Sequence, residues 1–381
     1  MASVLALPDD LLVNIAEKVA LFEDFVALRG VCKSWQSAAA KGNFSNRPQI
    51  PWLMLAAKEG SDVREFYSLS KDMILRVTLP EANEKRCRCL ASEGWLITIG
   101  KDLNMSLLHP ISGIQIRLPH ISTLKDHEAS DDDDLTYVTY IRKAVLSSSA
   151  SSSSCTVMII QGDYAKLAFC KLGIDNAWTT VETRQACYLD VIHFNAMFYA
   201  IDCRGAIFIC NVEGPNPTAG ELVTSLPREL HTRHIEYLYL VESSGKLLVV
   251  SRIGVEIHLV DPVDEENSDF EENSELTYGT TGFQVFEVEI SNGGWKEVKT
   301  LGGRALFLGH NSSFSVEAHG CIKADCIYFT DDALEAYVGA DNLAGGKDMG
   351  IYNMQHGSIT PHFDGESYSE ITPPMWVAPS F

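Results

Sequence analysis

No run of eighteen consecutive apolar residues occurs in the 381-residue sequence, and its longest hydrophobic pieces are broken by polar or charged side chains, which argues against a membrane-spanning helix. Basic residues are scarce as well. With 30 Lys and Arg against 51 Asp and Glu, the formal net charge is -21, so a phosphate backbone is on average repelled and nucleic acid is not an expected partner. A GxGxxG fingerprint on a strand-to-helix unit, a GxxxxGK[ST] loop, a GxSxG elbow and an HExxH helix are all missing. A catalytic reading would therefore have to rest on scattered polar residues. Met1 to Pro8 has neither a basic start nor a long apolar core, so it does not read as a secretory leader. The expectation is an intracellular protein of the cytoplasm and/or nucleus, with its ten cysteines reduced and placed in the core.

The scattered candidates are weak. Cys87 and Cys89 have no second pair at zinc-site spacing, and four convergent ligands are needed for a structural zinc. His231 and His234 stand alone. Asp190 and His193 lie three apart on a strand-like run, off a common face. Asp331 and Asp332 follow Ile327-Tyr328-Phe329-Thr330, where carboxylates usually close a turn by accepting backbone hydrogen bonds. No catalytic residue, metal or cofactor is expected, and the chain is not expected to be an enzyme.

What the sequence does contain divides sharply near residue 45. Pro8-Asp9-Asp10 offers a turn and a side-chain cap, followed by Leu11, Leu12, Ile15, Ala16 and Val19 at helical spacing. A second short helix is expected from Glu23 or Asp24 through Phe25, Val26, Leu28 and Val31, and a third from Cys32 through Trp35 to Ala40. Helices this short must pack on each other or on a partner, and their apolar content is high enough for some of Leu7, Leu11, Leu12, Ile15 and Val31 to serve intermolecular packing.

Beyond Pro48 and Pro51 the helical period fades. Short apolar runs broken by Gly, Asn and Asp take over: 95–99, 156–161, 166–172, 196–202, 206–211, 237–241, 246–251, 255–260, 283–290 and 326–330. Two segments, 169–181 and 286–298, resemble each other as strand, polar turn and a tryptophan, with Trp178 and Trp295 lying 117 residues apart, a distance suiting two to three propeller blades. A β domain of this length made of hairpins favours a propeller over a sandwich. The stretch 371–379 either helps to close the ring or forms a surface tail. Acidic inserts at 126–134 and 261–275 and a serine tract at 147–154 have little to bury and read as loops.

Leu7-Pro8-Asp9-Asp10-Leu11-Leu12-Val13-Asn14-Ile15 and Leu28-Arg29-Gly30-Val31-Cys32-Lys33-Ser34-Trp35 resemble the two conserved blocks of the F-box, in the family's order. The rest resembles the kelch-like propellers of plant F-box proteins of the DUF295 family, through 108–113, 239–252, 306–313, 326–332 and 348–353. The resemblance implies a small all-α F-box module (1–45), a linker or first propeller segment (46–60), and an all-β domain, a six- or seven-bladed β-propeller (61–381). It also implies docking on a Skp-type adaptor through Leu7, Pro8, Leu11, Leu12, Ile15, Leu28, Val31 and Cys32, with Trp35 packing the module. Through that adaptor come a cullin-RING ligase and an unidentified protein substrate held by the propeller.

Overall fold

The computed structural model describes residues 7–380, apart from 20, 41–48, 59, 84–86, 126–135, 153, 183–186, 228–236, 256–257, 261–274 and 339–343. Three short helices come first: α1 (Asp9–Lys18), α2 (Phe22–Arg29) and α3 (Lys33–Ala38). Asp9 and Asp10 do not cap α1. Pro8 holds the N-cap position without a side-chain bond, and the two carboxylates lie in the first turn, where the positive end of the helix dipole favours them. Leu12, Trp35 and Ala38 form one small core, and Ala16, Phe25 and Ala39 a second.

Six sheets follow. Blade one joins β1 (Trp52–Met54), β2 (Val63–Ser68) and β3 (Met73–Thr78). Blade two contains β4 (Cys87–Ser92), β5 (Trp95–Gly100), β6 (Met105–Leu108) and β7 (Gln115–Arg117). Blade three contains β8 (Ile141–Leu146), β9 (Thr156–Gln161), β10 (Lys166–Lys171) and β11 (Thr179–Thr180). Blade four runs through β12 (Tyr188–Phe194), β13 (Met197–Asp202), β14 (Ala206–Cys210) and β15 (Gly220–Ser225). In blade five, a separate hairpin of β18 (His258–Val260) and β19 (Glu275–Thr277) interrupts β16 (Tyr237–Ser243), β17 (Lys246–Ile253), β20 (Gly282–Glu289) and β21 (Gly294–Glu297). Blade six is five-stranded: β22 (Arg304–Leu308), β23 (Phe314–Glu317), β24 (Cys326–Phe329), β25 (Gly350–Asn353) and β26 (Ser358–Thr360), in the order β23-β22-β24-β25-β26.

The expected propeller is thus six-bladed, and the stretch 46–60, open between a linker and a first propeller segment, contributes a strand to it. The last strand, β27 (Met375–Val377), pairs antiparallel with β1, matching Trp52 to Val377, Leu53 to Trp376 and Met54 to Met375. The terminal stretch therefore closes the ring rather than trailing from it, and Trp52 to Met54 belong to the first blade. Buried apolar clusters lie at every interface between successive blades, the sixth-to-first included. A blade that packs against a neighbour on each face buries both sides of its strands, which is why β9 and β5 read as continuous apolar runs rather than alternating ones. Trp178 and Trp295 mark equivalent places in blades three and five. Each indole N–H donates back to the outer edge of the preceding blade, to Pro119 O (2.9 Å) and Thr224 Oγ1 (3.2 Å) respectively. The described residues of the serine tract, 147–152 and 154, lie in the loop between β8 and β9, whereas residue 153 and residues 126–134 and 261–274 of the acidic inserts lie outside the described residues.

Six cysteines are buried as expected, but Cys187, Cys203 and Cys321 are exposed and Cys32 is half-buried. These four sit at strand ends, turns or a helix cap, where the chain leaves the packed interfaces.

At the closure, Trp376 is fully buried against Phe307, Tyr328 and His362. His362 donates from Nε2 to Phe329 O (3.1 Å), and burial pushes its pKa down to about 4 from the usual 6.5. The unfolded chain then binds a proton between those values that the folded chain refuses, so this group takes stability away as the pH falls through that window. In urea unfolding, His362→Gln should reduce the loss of stability between pH 7 and pH 5 by about 2 kcal/mol. An unchanged pH dependence would contradict the neutral, buried imidazole.

Candidate docking surfaces

The helical module turns two faces in different directions. Leu12 and Ala16 point into its cores, while Leu11 and Ile15, one helical turn apart, are 47% and 38% exposed. Val31, in the turn between α2 and α3, is 51% exposed, and Pro8 is exposed as well. Leu7, Leu28 and Cys32 are partly buried against the core that holds Leu12 and Trp35. Of the eight residues expected to form or support an adaptor surface, Leu11, Ile15, Val31 and Pro8 are thus presented outward. Leu7, Leu28 and Cys32 back them, and Leu12 supports from within.

The third face is taken by the propeller. Phe22 of α2 packs edge-on against Trp52 of β1 with ring centroids 5.6 Å apart, and its backbone N–H donates to Gln49 Oε1 (3.0 Å). Glu23, nearly buried, accepts from Ser68 Oγ (2.9 Å) and from Ser70 Oγ, and Asp24 pairs with Lys71. The sequence pattern starts the second helix at Glu23 or Asp24 and leaves Phe22 outside it; nothing local marks Phe22 and Glu23 as the joint between the two units.

The second surface is the central channel. The first strands β4, β8, β12 and β16 touch in succession, with β27 against β4 and β23 against β16. Blade six departs from the simple meander here, since β22 pairs in parallel with β24. Between β22 and β23 the chain crosses to the far side of the ring: Lys143 Nζ on β8 donates to Gly309 O (3.1 Å), and Ser312 N donates to Ala91 O on β4 (2.7 Å). Only glycine fits at 309. Its φ is +148°, and a Cβ there would lie 2.0 Å from Thr330 Oγ1.

A cavity of about 450 Å³ opens in this channel, lined by residues that include Arg88, Arg142, Lys143, Tyr239, His310 and Asp332. Carboxylates converge around it, but each is engaged. Asp190 meets Lys143 Nζ (3.2 Å) and accepts from Leu240 N (2.8 Å). Asp332 accepts from Arg252 Nη1 (2.7 Å) and Tyr239 Oη (2.9 Å), while Asp348 accepts from Arg252 Nη2 (2.8 Å) and Thr280 Oγ1 (2.7 Å). Asp331 accepts backbone hydrogen bonds both in its own turn, from Ala333 N (3.4 Å), and from Gly346, Lys347 and Asp348 of a remote loop, and Tyr278 Oη adds a further bond at 2.7 Å. Asp190 and His193 do not meet, since His193 packs edge-on against Phe198 instead. His231 and His234 lie outside the described residues. The signal that could have located the channel is a charge inside an apolar strand, as at Arg88, Lys143 and Arg252.

Comparison with known proteins gives two family matches: the KIB1-4 beta-propeller over residues 66–353 and the F-box domain over residues 4–46. F-box protein SKIP23 of Arabidopsis thaliana is 25% identical over 410 residues, covering 97% of this chain and 94% of its own. F-box protein At2g26160 of the same plant is 24% identical over 355 residues, covering 87% and 96%.

Proposed function

Because the chain belongs to the KIB1-4 beta-propeller family and carries an F-box domain ahead of that propeller, we propose that it is the substrate-recognition subunit of a Skp-cullin-F-box E3 ubiquitin ligase. The observation that carries this reading is the outward apolar set Leu11, Ile15 and Val31 on a module whose own cores are already filled by Leu12, Ala16, Phe25 and Trp35. These side chains are the contact to a Skp-type adaptor. The propeller holds a target protein, and the ligase supplies the chemistry. Such a receptor makes and breaks no bond; it raises the local concentration of a substrate lysine near an activated E2. The channel carboxylates, each held by a cation, a hydroxyl or amides, suit a binding role. The setting is intracellular, cytoplasm and/or nucleus.

The joint at Phe22 and Trp52 gives the receptor a physical advantage. A substrate held by the ring keeps a defined direction toward the adaptor, because α2 is hydrogen-bonded and packed onto blade one. It also decides how the proposal is tested. Removing residues 1–45 would strip Phe22 from the buried cluster containing Trp52, so surface substitutions are the cleaner tool. Affinity capture from plant extract should recover adaptor and cullin with the unaltered chain and lose both with Leu11, Ile15 and Val31 replaced by aspartate. Adaptor recovered without cullin would favour a scaffold outside any ligase.

A further inference from the structure

Among the described residues, the carboxylates of the central channel are unevenly shared between its cations. Lys143 is matched by Asp190, and Arg252 by Asp332 and Asp348. Arg88, on β4, is 1% exposed and has no such match among the described residues. Its Nη2 donates to His310 Nδ1 (3.2 Å), leaving the other ring nitrogen to donate to Tyr337 Oη (2.8 Å). That imidazole is uncharged, because burial and the surrounding cations hold its pKa well below the ordinary value. Arg88 Nη1 has no hydrogen-bond partner among the described residues. The neighbouring guanidinium of Arg142 adds a like charge rather than a compensating one. On the opposite side of β4, the Cys89 thiol, with a pKa of about 7, lies near both Arg64 and Arg88. Even ionised it supplies one negative charge for two buried guanidinium groups, and Arg64, equally buried, meets no oxygen acceptor among the described residues.

A buried cation left in this state is costly to the fold, and a methionine in its place would generally be tolerated better. Its place on the wall of a preformed cavity of about 450 Å³, within the roughly 300–1,000 Å³ span of small-molecule sites, points to a ligand that completes it. The walls supply the rest of the recognition: Tyr237, Leu238 and Leu334 offer aromatic and apolar surface beside the charged cluster.

We propose that the channel cavity binds a small organic anion, its phosphate or carboxylate group drawn to the uncompensated charge of Arg88 with Arg142 and Lys143 alongside and its apolar body resting against Tyr237, Leu238 and Leu334. The site is independent of the helical module, so binding is measured on the full chain without adaptor and is unaffected by whether the ligase reading stands. Calorimetric titration with phenyl phosphate, benzoate and neutral benzyl alcohol supplies the test. At least one anion should bind saturably, the alcohol should not, and the anion that binds more tightly identifies the headgroup. Arg88→Met should weaken that binding about tenfold or more, the order expected for removing one buried cation beside an anion, while the unliganded variant melts no lower than the unaltered chain. Arg88→Lys, which keeps the charge and loses the fork, should fall between the two. Failure of both anions to bind, binding that survives Arg88→Met, or a large fall in the melting temperature of the unliganded variant would each overturn the assignment, the last by showing that Arg88 serves the fold.

Discussion

A chain carrying Leu11→Asp, Ile15→Asp and Val31→Asp should bind a Skp-type adaptor at least about a thousandfold more weakly than the unaltered chain, because apolar anchors at interface centres commonly contribute about 2 kcal/mol or more each. Its melting temperature should hardly change. The three side chains are exposed and leave the two small cores of the module intact. Leu12 makes the contrast: at 1% exposure, packed with Trp35 and Ala38, it would cost stability if charged, and adaptor binding would then fall for the wrong reason. The measurement is a titration of purified adaptor against both chains, with thermal melts in parallel. Binding retained by the triple variant would place the adaptor elsewhere.

The second large effect belongs to Arg252. This fully buried side chain on β17 spans from blade five to blade six, donating to Asp332, Asp348, Tyr239 Oη and Thr330 O and lying over the Phe329 ring at 4.9 Å. Arg252→Met leaves two carboxylates buried without their cation, which should cost about 3–5 kcal/mol in chemical denaturation. The deficit should shrink as the pH is lowered. Burial already raises the Asp332 pKa against the pull of Arg252, and losing that pull raises it further. A carboxylate whose folded pKa stands above its unfolded one gains stability as the pH falls. Adding Asp332→Asn and Asp348→Asn to the variant should recover part of the loss. A simple packing role for Arg252 predicts neither the pH dependence nor the recovery.

Which parts of this molecule were legible in the sequence follows from where its strands lie. β9 was bounded at the residues observed, 156–161, and β10, β13, β14, β16 and β17 nearly so, because strands sandwiched between two blades carry unbroken apolar runs. The outermost strands β3, β7 and β26 face solvent and leave little apolar signal. Blade number stayed open for a related reason: the spacing of Trp178 and Trp295 spans two blades, one lengthened by the acidic insert after β18, so it exceeds twice a common blade length. The helical module was legible as a type and an order of helices. Its inward and outward leucines were not, since Leu11 and Leu12 are adjacent and only packing against Trp35 separates their roles. Least legible was the channel. Arg88, Lys143, Asp190, Arg252, His310, Asp332 and Asp348 come from five blades and no two belong to one motif, so only ring closure brings them together.

The most direct measurement is size-exclusion chromatography of the purified chain with a cullin-RING complex, with and without the Skp-type adaptor. The account predicts a single assembly containing chain and cullin only when the adaptor is present, and its loss on Leu11→Asp, Ile15→Asp and Val31→Asp. Chain that binds adaptor yet never elutes with cullin, or that reaches cullin without adaptor, would contradict it.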